Sequence, residues 1–288
     1  MPAERFRPAV REEFLAAFLC VACGTQYPPS VHPPDRCPIC EDERQYVPPE
    51  GQRWTTLAEM RGHYHNRFTE LEPGVTEIET EPAFAIGQRA FLIQTPQGNA
   101  LWETLAYLDE MTLAEIERRG GAAAIAISHP HYYTTMTAWS RALGNVPIYL
   151  HEANRRWVMY PSLAIRFFEQ DALELVPGVT VIRCGGHFPG ASVLHWAGGA
   201  EGHGVLFSGD TLQVVADRRH VSFLYSYPNL IPLDPETVRA VVASLEPYAF
   251  ERIYGAFGRH ILADAKEAVR RSAERYIAHV TRPETNAE

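Results

Sequence analysis

The stretch Ala122–Met136, AAAIAISHPHYYTTM, ends an apolar run in two histidines one residue apart, His129 and His131. Residues at i and i+2 of extended backbone point to the same side. A buried strand ending in His-x-His would therefore present two imidazoles together at a sheet edge, which suits a metal ion. The local pattern recurs: VTVIRCGG runs into His187, GVLFSG into Asp210 and RIYGAFGR into His260. In an open α/β sheet, functional groups gather outside the ends of strands. A set of His, Asp and His at several strand ends points to one shared site. Another His-x-His pair, His63 and His65 in GHYH, has no apolar strand before it and reads as surface.

The second chemical constellation is Cys20, Cys23, Cys37 and Cys40, a C-x2-C pair, thirteen residues, and another C-x2-C pair. Each pair in a tight turn aims two thiolates at one point, and four thiolates around zinc or iron make a closed tetrahedral site. Metal binding then supplies much of the folding energy of so small a unit. The segment resembles the rubredoxin-like knuckle at the end of rubrerythrins, through CVACG, CPIC and the aromatic Tyr46. That resemblance implies zinc or iron. Iron would suggest electron transfer to a redox partner, and zinc a structural or docking element. The fifth cysteine, Cys184, reads as a buried inert thiol.

These residues need elements to hold them. The chain of 288 residues suits one large domain and a small module. We expect the cysteine module over 1–50, a linker and short helix over 51–73, and the large domain over 74–288. Helices are expected over TLAEIERRGG, with Thr112 as N-cap, over TTMTAWSRALG, LAIRFFEQ, and DPETVRAVVASLEPY, with Asp234 as cap, and over the terminal DAKEAVRRSAERYIAHVTR. Strands are expected over AAAIAIS, VPIYLHE, GVTVIRC and ERIYGAFGRH, and as a hairpin in SVLHWAGGAEGHGVLFSGD. The class is mixed α/β with buried sheets. A net charge of −9 and the lack of a basic patch argue against nucleic acid as a partner. The charged N-terminus without an apolar signal core, and the absence of any apolar run near 20 residues, suggest a cytoplasmic protein that does not enter membranes.

The order HPH, GGHFPGAS, FSGDT and GRH resembles the metallo-β-lactamase superfamily over about residues 74 to 288. The resemblance implies an αββα sandwich, two mixed β-sheets flanked by helices, with metal at one edge. It implies His129, His131 and His187 as ligands of a first metal, and Asp210 as a ligand or bridge. Where dinuclear members carry Asp and His after the HxH pair, this chain has Tyr133 and Thr134. We therefore expect one metal, with Tyr133 in the vacated position or near substrate. His260, without a second metal to bind, would act as general acid or base. Glu103 lies near a position where the family has an acidic residue supporting the ligands. His151 is expected to be structural. Tyr132, Phe223, Tyr225 and Tyr227 are candidates for a substrate pocket.

Three neutral imidazoles and an open position make a catalytic zinc pattern that lowers the pKa of bound water to about 7. The expected activity is hydrolysis of a small-molecule ester, thioester or lactone by metal-bound hydroxide. Two alternatives stand beside it. Two histidines and a carboxylate also suit non-haem iron, for persulfide-dioxygenase-like or electron-transfer-linked chemistry. The third reading is a non-catalytic metal-binding scaffold.

Overall fold

The structure, a computed structural model, describes residues 15–281. The N-terminal stretch read for a signal segment lies outside that range, as do residues 282–288 counted with the large domain. Two sheets face each other. The first comprises β1 (His65–Glu72), β2 (Val75–Glu81), β3 (Ala90–Ile93), β4 (Ala100–Trp102), β5 (Ala124–Ala126), β6 (Ile148–His151) and β7 (Ile165–Phe168), in that spatial order. Pairing is antiparallel through β4 and parallel from β4 to β7. The second comprises β8 (Ala172–Val176), β9 (Val179–Arg183), β10 (Ser192–Trp196), β11 (Val205–Phe207), β12 (Arg252–Tyr254) and β13 (His260–Ile261). Only β11 and β12 run parallel there.

Alternation along the strands divides the apolar residues into layers. Phe91, Ile93, Trp102 and Ala126 face Val179, Val181, Leu194 and Phe207 between the sheets. The opposite faces of the same strands, through Leu101, Ile125, Ile148 and Leu150, pack on α1 (Glu110–Arg118) and α2 (Met136–Ala142) by Ile116, Met136 and Trp139. On the other side, Ile182, Val193, Leu206 and Ile253 meet α3 (Pro235–Leu245) and α4 (Ala265–Val280) through Val238, Val241, Ala268 and Val269. Each fully buried aliphatic or aromatic side chain contributes about 1.5–3 kcal/mol. The expected αββα sandwich is present, with the cysteine unit before it. Among the described residues no helix is long and apolar enough to cross a membrane.

Four local expectations need correction. LAIRFFEQ holds β7, not a helix, because its short β-branched and aromatic run extends the parallel sheet beside β6. Asp109, not Thr112, caps α1, its carboxylate accepting from Thr112 N at 2.8 Å. The first sheet begins at His65, inside the stretch read as linker, and Trp54–Thr55 pairs with Leu19–Cys20 of the cysteine unit. ERIYGAFGRH is a tight hairpin of β12 and β13, with Tyr254 opposite His260.

Candidate metal centre

β5 delivers His129 in extended conformation, and Pro130–Tyr132 then forms a single 3-10 turn. The pair is thus not on continuous extended strand, and its rings lie 5.0 Å apart and nearly perpendicular. His187 follows β9 through Gly185 and Gly186. At Gly186, with φ of +78°, a Cβ would come within 3.0 Å of Leu233. Asp210 follows β11 through Gly209, where a Cβ would sit 2.8 Å from Ser128 Oγ. Ser192 N donates to Ser128 O at 3.1 Å and ties the two sheets at this edge. One nitrogen from each of His129, His131 and His187 and one oxygen of Asp210 all lie within 4.8 Å of one another, and all four residues are buried.

The donor set fits a cation. His187 Nδ1 faces the Leu224 carbonyl at 3.2 Å, which places its proton there and leaves Nε2 bare. Nε2 lies 3.3 Å from His131 Nδ1. His129 Nδ1 pairs with Ser128 Oγ at 2.7 Å, so its Nε2 lone pair points at Asp210 Oδ2, 3.4 Å away. That buried Nε2 has no hydrogen-bond partner. Burial holds the His131 imidazole far below its ordinary pKa and brings His187 down to about 3, so both are neutral. Burial alone would raise the Asp210 carboxyl, but the polar groups facing it, the Tyr132 hydroxyl among them, hold it below its ordinary range and ionised. A lone pair facing a carboxylate in a buried site is repulsive until a cation lies between them. Three imidazoles with a carboxylate are zinc or iron donors.

Supporting contacts surround the four. The Tyr132 hydroxyl donates to Asp210 Oδ1 at 2.5 Å, and its ring lies 4.3 Å from that of His129. Glu103, at φ of +66°, accepts from Ser128 N at 3.2 Å, and burial pushes its carboxyl well above the ordinary range. It therefore holds the residue that orients His129. Asn154 Oδ1 accepts from Gly190 N at 3.1 Å and pins the loop that carries His187.

Other expected site residues lie elsewhere. Tyr133 is buried in the core against α2, and its hydroxyl has no partner. Thr134 turns its hydroxyl to Thr104 Oγ1 at 2.9 Å. His260 sits on β13, with Nε2 3.4 Å from Glu77 Oε2, and is not among the clustered ligands. The tip of its hairpin carries Phe257 to the cavity instead. Phe223 is core beneath α4, whereas Tyr225 donates to Glu43 Oε1 at 2.5 Å and belongs to the contact with the cysteine unit. Tyr227 lines the cavity and donates to Asp210 O at 3.0 Å. Cys184 is buried and its thiol is pushed up to about 12 by desolvation, in keeping with an inert group. His151 accepts from Ala153 N at 3.2 Å in a structural turn, and His65 is a surface residue near Glu81.

The four cysteines are unbonded, buried and within 4.8 Å of one another. Gln52 Nε2 donates to Cys20 at 3.0 Å and the Tyr27 hydroxyl to Cys37 at 3.2 Å. Hydrogen bonds from the other three thiols, Cys23 first, drive the Cys20 thiol well below its ordinary range. Such donors suit a second cation. This unit is seated on the large domain. The Arg44 guanidinium lies 4.3 Å from the ring centres of both Phe188 and Tyr225 and 2.7 Å from Asp42. Asn229 donates to the Glu43 and Gln45 carbonyls. As a result Gln45 and Tyr46 line a cavity of about 280 Å³ that also holds His131, His187 and Asp210. Sequence reasoning missed Arg44, Gln45 and Phe257 here. The Glu-Asp-Glu-Arg run after Cys40 carried a charge signal, but nothing local showed where it docks.

No family model matches the chain. It is 48% identical over 262 residues to the uncharacterized protein YmaE of Bacillus subtilis (strain 168), covering 90% of this chain and 95% of that one. Among solved structures, the metallo-β-lactamase FIM-1 from Pseudomonas aeruginosa superposes with a TM-score of 0.52 at 15% identity, covering 73% of this chain and 95% of that one. VMB-1 superposes with a TM-score of 0.54 at 13% identity, covering 75% and 98%. In this chain the metallo-β-lactamase fold follows a four-cysteine module, and the chain belongs to the family of YmaE.

Proposed function

We propose that this protein is a mononuclear zinc hydrolase acting on a small ester, thioester or lactone, with a second, structural ion in the cysteine module. The observation that carries the reading is the convergence of His129 Nε2, His131 Nδ1, His187 Nε2 and Asp210 Oδ2 on one buried point that opens to a cavity. Zinc held there supplies Lewis acidity and lowers the pKa of a water it binds to about 7. One ion is favoured because the described residues offer no second set of donors beside the first: Tyr133 is buried in the core, Thr134 turns its hydroxyl to Thr104, and His260 faces Glu77 and is not among the clustered ligands. FIM-1, which shares the fold, is described in a mono-zinc form.

The chain's own residues divide the remaining work. Asp210 accepts the hydrogen bond of the Tyr132 hydroxyl on one oxygen and keeps the other for the cation, which fixes its orientation. Ser128, held by Glu103, fixes the His129 tautomer. Among the described residues Asp210 is the one carboxylate lining the cavity, and with one oxygen held by Tyr132 and the other kept for the cation its part is to position that cation rather than to take a proton. Phe257, Ile86 and Tyr46 exclude bulk water from the reacting carbonyl.

Elemental analysis of natively expressed protein, with a panel of esters, thioesters and lactones, tests the reading. Two zinc ions per chain and hydrolysis lost in His187→Ala are expected. Iron at the histidine site with dioxygen consumption on thiols or persulfides would replace it with the redox alternative. Full zinc loading with no turnover across the panel would favour the scaffold.

A further inference from the structure

The two donor sets lean on shared walls. Phe188, the residue after His187, is buried, and its ring centre lies 4.9 Å from that of His131, 5.2 Å from that of His187 and 5.7 Å from that of His129. Arg44 of the cysteine module lies 4.3 Å from the centre of the same ring. Asp42 pairs with its guanidinium at 2.7 Å, so what Arg44 brings to Phe188 is a flat surface more than a net charge. Trp157, which packs on the cysteine cluster, meets Phe188 edge-on with ring centres 5.8 Å apart.

A second connection runs through residues 224–229. The Leu224 carbonyl faces His187 Nδ1 and so orients the ring. Two residues on, Ser226 Oγ donates to the Arg44 carbonyl at 3.1 Å, and Asn229 holds the carbonyls of Glu43 and Gln45. A third connection reaches the other histidine turn. Gln26 N donates to the Thr134 carbonyl at 3.0 Å, just after the Pro130–Tyr132 turn that carries His131. The approach there is close, since a Cβ at Gly24 would lie 2.8 Å from Ala106 Cβ. The module therefore touches both segments that deliver His131 and His187. Arg44 follows Cys40 by four residues and keeps its place only while that knuckle is folded. Four thiolates do not share one buried point without a cation, so an unloaded module unfolds and withdraws these contacts.

We propose that the two metal sites are energetically coupled, and that Arg44 is the positioning residue through which a loaded cysteine module sets the geometry of His131 and His187. The inference rests on the histidine set as a metal site, but not on the reaction assigned to it. Because binding free energies are linked, loading either site tightens the other by the same factor.

Zinc affinity of the histidine site, read in the full chain by competition with a chromophoric chelator, tests the coupling in the wild type, Cys37→Ser, Arg44→Ala and the double variant. Each single variant is expected to lose about tenfold or more, as when groups that orient metal ligands are removed, with the site still filled at stoichiometric zinc. Arg44→Ala leaves all four cysteines in place, so its result does not depend on how Cys37→Ser folds. The double variant should fall no more than about twofold below Cys37→Ser, because the same connection has been cut twice. Arg44→Lys keeps the charge without the plane and should not restore affinity. Cobalt at the histidine site, with zinc at the cysteines, should show visible bands that shift between wild type and Arg44→Ala, which a change in stability alone would not produce. Unchanged affinity in either single variant, full additivity in the double, restoration by lysine, or identical cobalt bands overturns the proposal. A wild-type chain that binds zinc only at the cysteines would remove the hydrolase reading as well. Two ions bound with independent affinities would leave that reading standing and remove the coupling alone.

Discussion

The Tyr132 hydroxyl donates to Asp210 Oδ1 at 2.5 Å, so a tyrosine from the turn after β5 fixes a carboxylate delivered by β11. The other oxygen, Oδ2, is left facing His129 and His187. Replacing Tyr132 by Phe leaves Oδ1 buried and unpaired, at about 1–3 kcal/mol. We expect zinc affinity of the histidine site to fall about 10–100-fold, measured by competition with a chromophoric chelator. An unchanged affinity would show that Tyr132 has no part in orienting Asp210.

Acid should weaken the metal-free histidine site in a defined window. His187 is held neutral in the folded chain, with its pKa brought by burial from 6.5 down to about 3. Between those values the unfolded chain binds a proton that the folded chain does not. Stability therefore falls as pH drops below about 6.5, by about 1.4 kcal/mol per unit from this residue. His131 acts in the same direction. Urea unfolding of chelated wild type from pH 6.5 to 5 should lose about 2 kcal/mol more than His187→Gln does. Parallel pH slopes for the two proteins would count against a neutral buried His187.

Cys37→Ser should cost one metal ion per chain, counted by elemental analysis, while the histidine site keeps its own. The thiol it removes accepts from Tyr27 and lies 3.6 Å from Cys23 Sγ. Because metal binding is the folding energy of such a unit, protease cutting should increase between Glu41 and Glu50. Retention of both ions would refute the four-cysteine site.

His260→Ala should leave the metal count intact and lower stability. It removes the imidazole 3.4 Å from Glu77 Oε2, a buried oxygen with no hydrogen-bond partner of its own, and leaves that oxygen without a facing polar group, at a cost of about 1–3 kcal/mol. Loss of an ion in this variant would restore His260 as a ligand.

The sandwich and the two donor sets were legible in sequence, because ligands of fixed chemical type must leave apolar strands at their ends. His129, His187 and Asp210 each follow such a run. What failed was rotation and register. Pro130 starts a 3-10 turn, in which successive side chains turn by about 120° instead of alternating. Tyr132 rather than Tyr133 therefore meets Asp210. In the last strand region, Gly255 and Gly258 permit a hairpin that presents Phe257 and carries His260 back along the sheet. The seating of Arg44 on Phe188 and Tyr225 joins segments more than 140 residues apart, and no periodicity encodes it.

The docking of residues 43–46 has a consequence for how this chain can vary. A boundary drawn near residue 50 separates the sequence into two recognisable pieces, yet the cavity draws residues from both. Shuffling the N-terminal piece between relatives would carry Gln45 and Tyr46 with it, and would change the cavity wall without touching any of the four clustered donors in the sandwich. A fragment beginning after that boundary would keep all four donors and lose the enclosure around them.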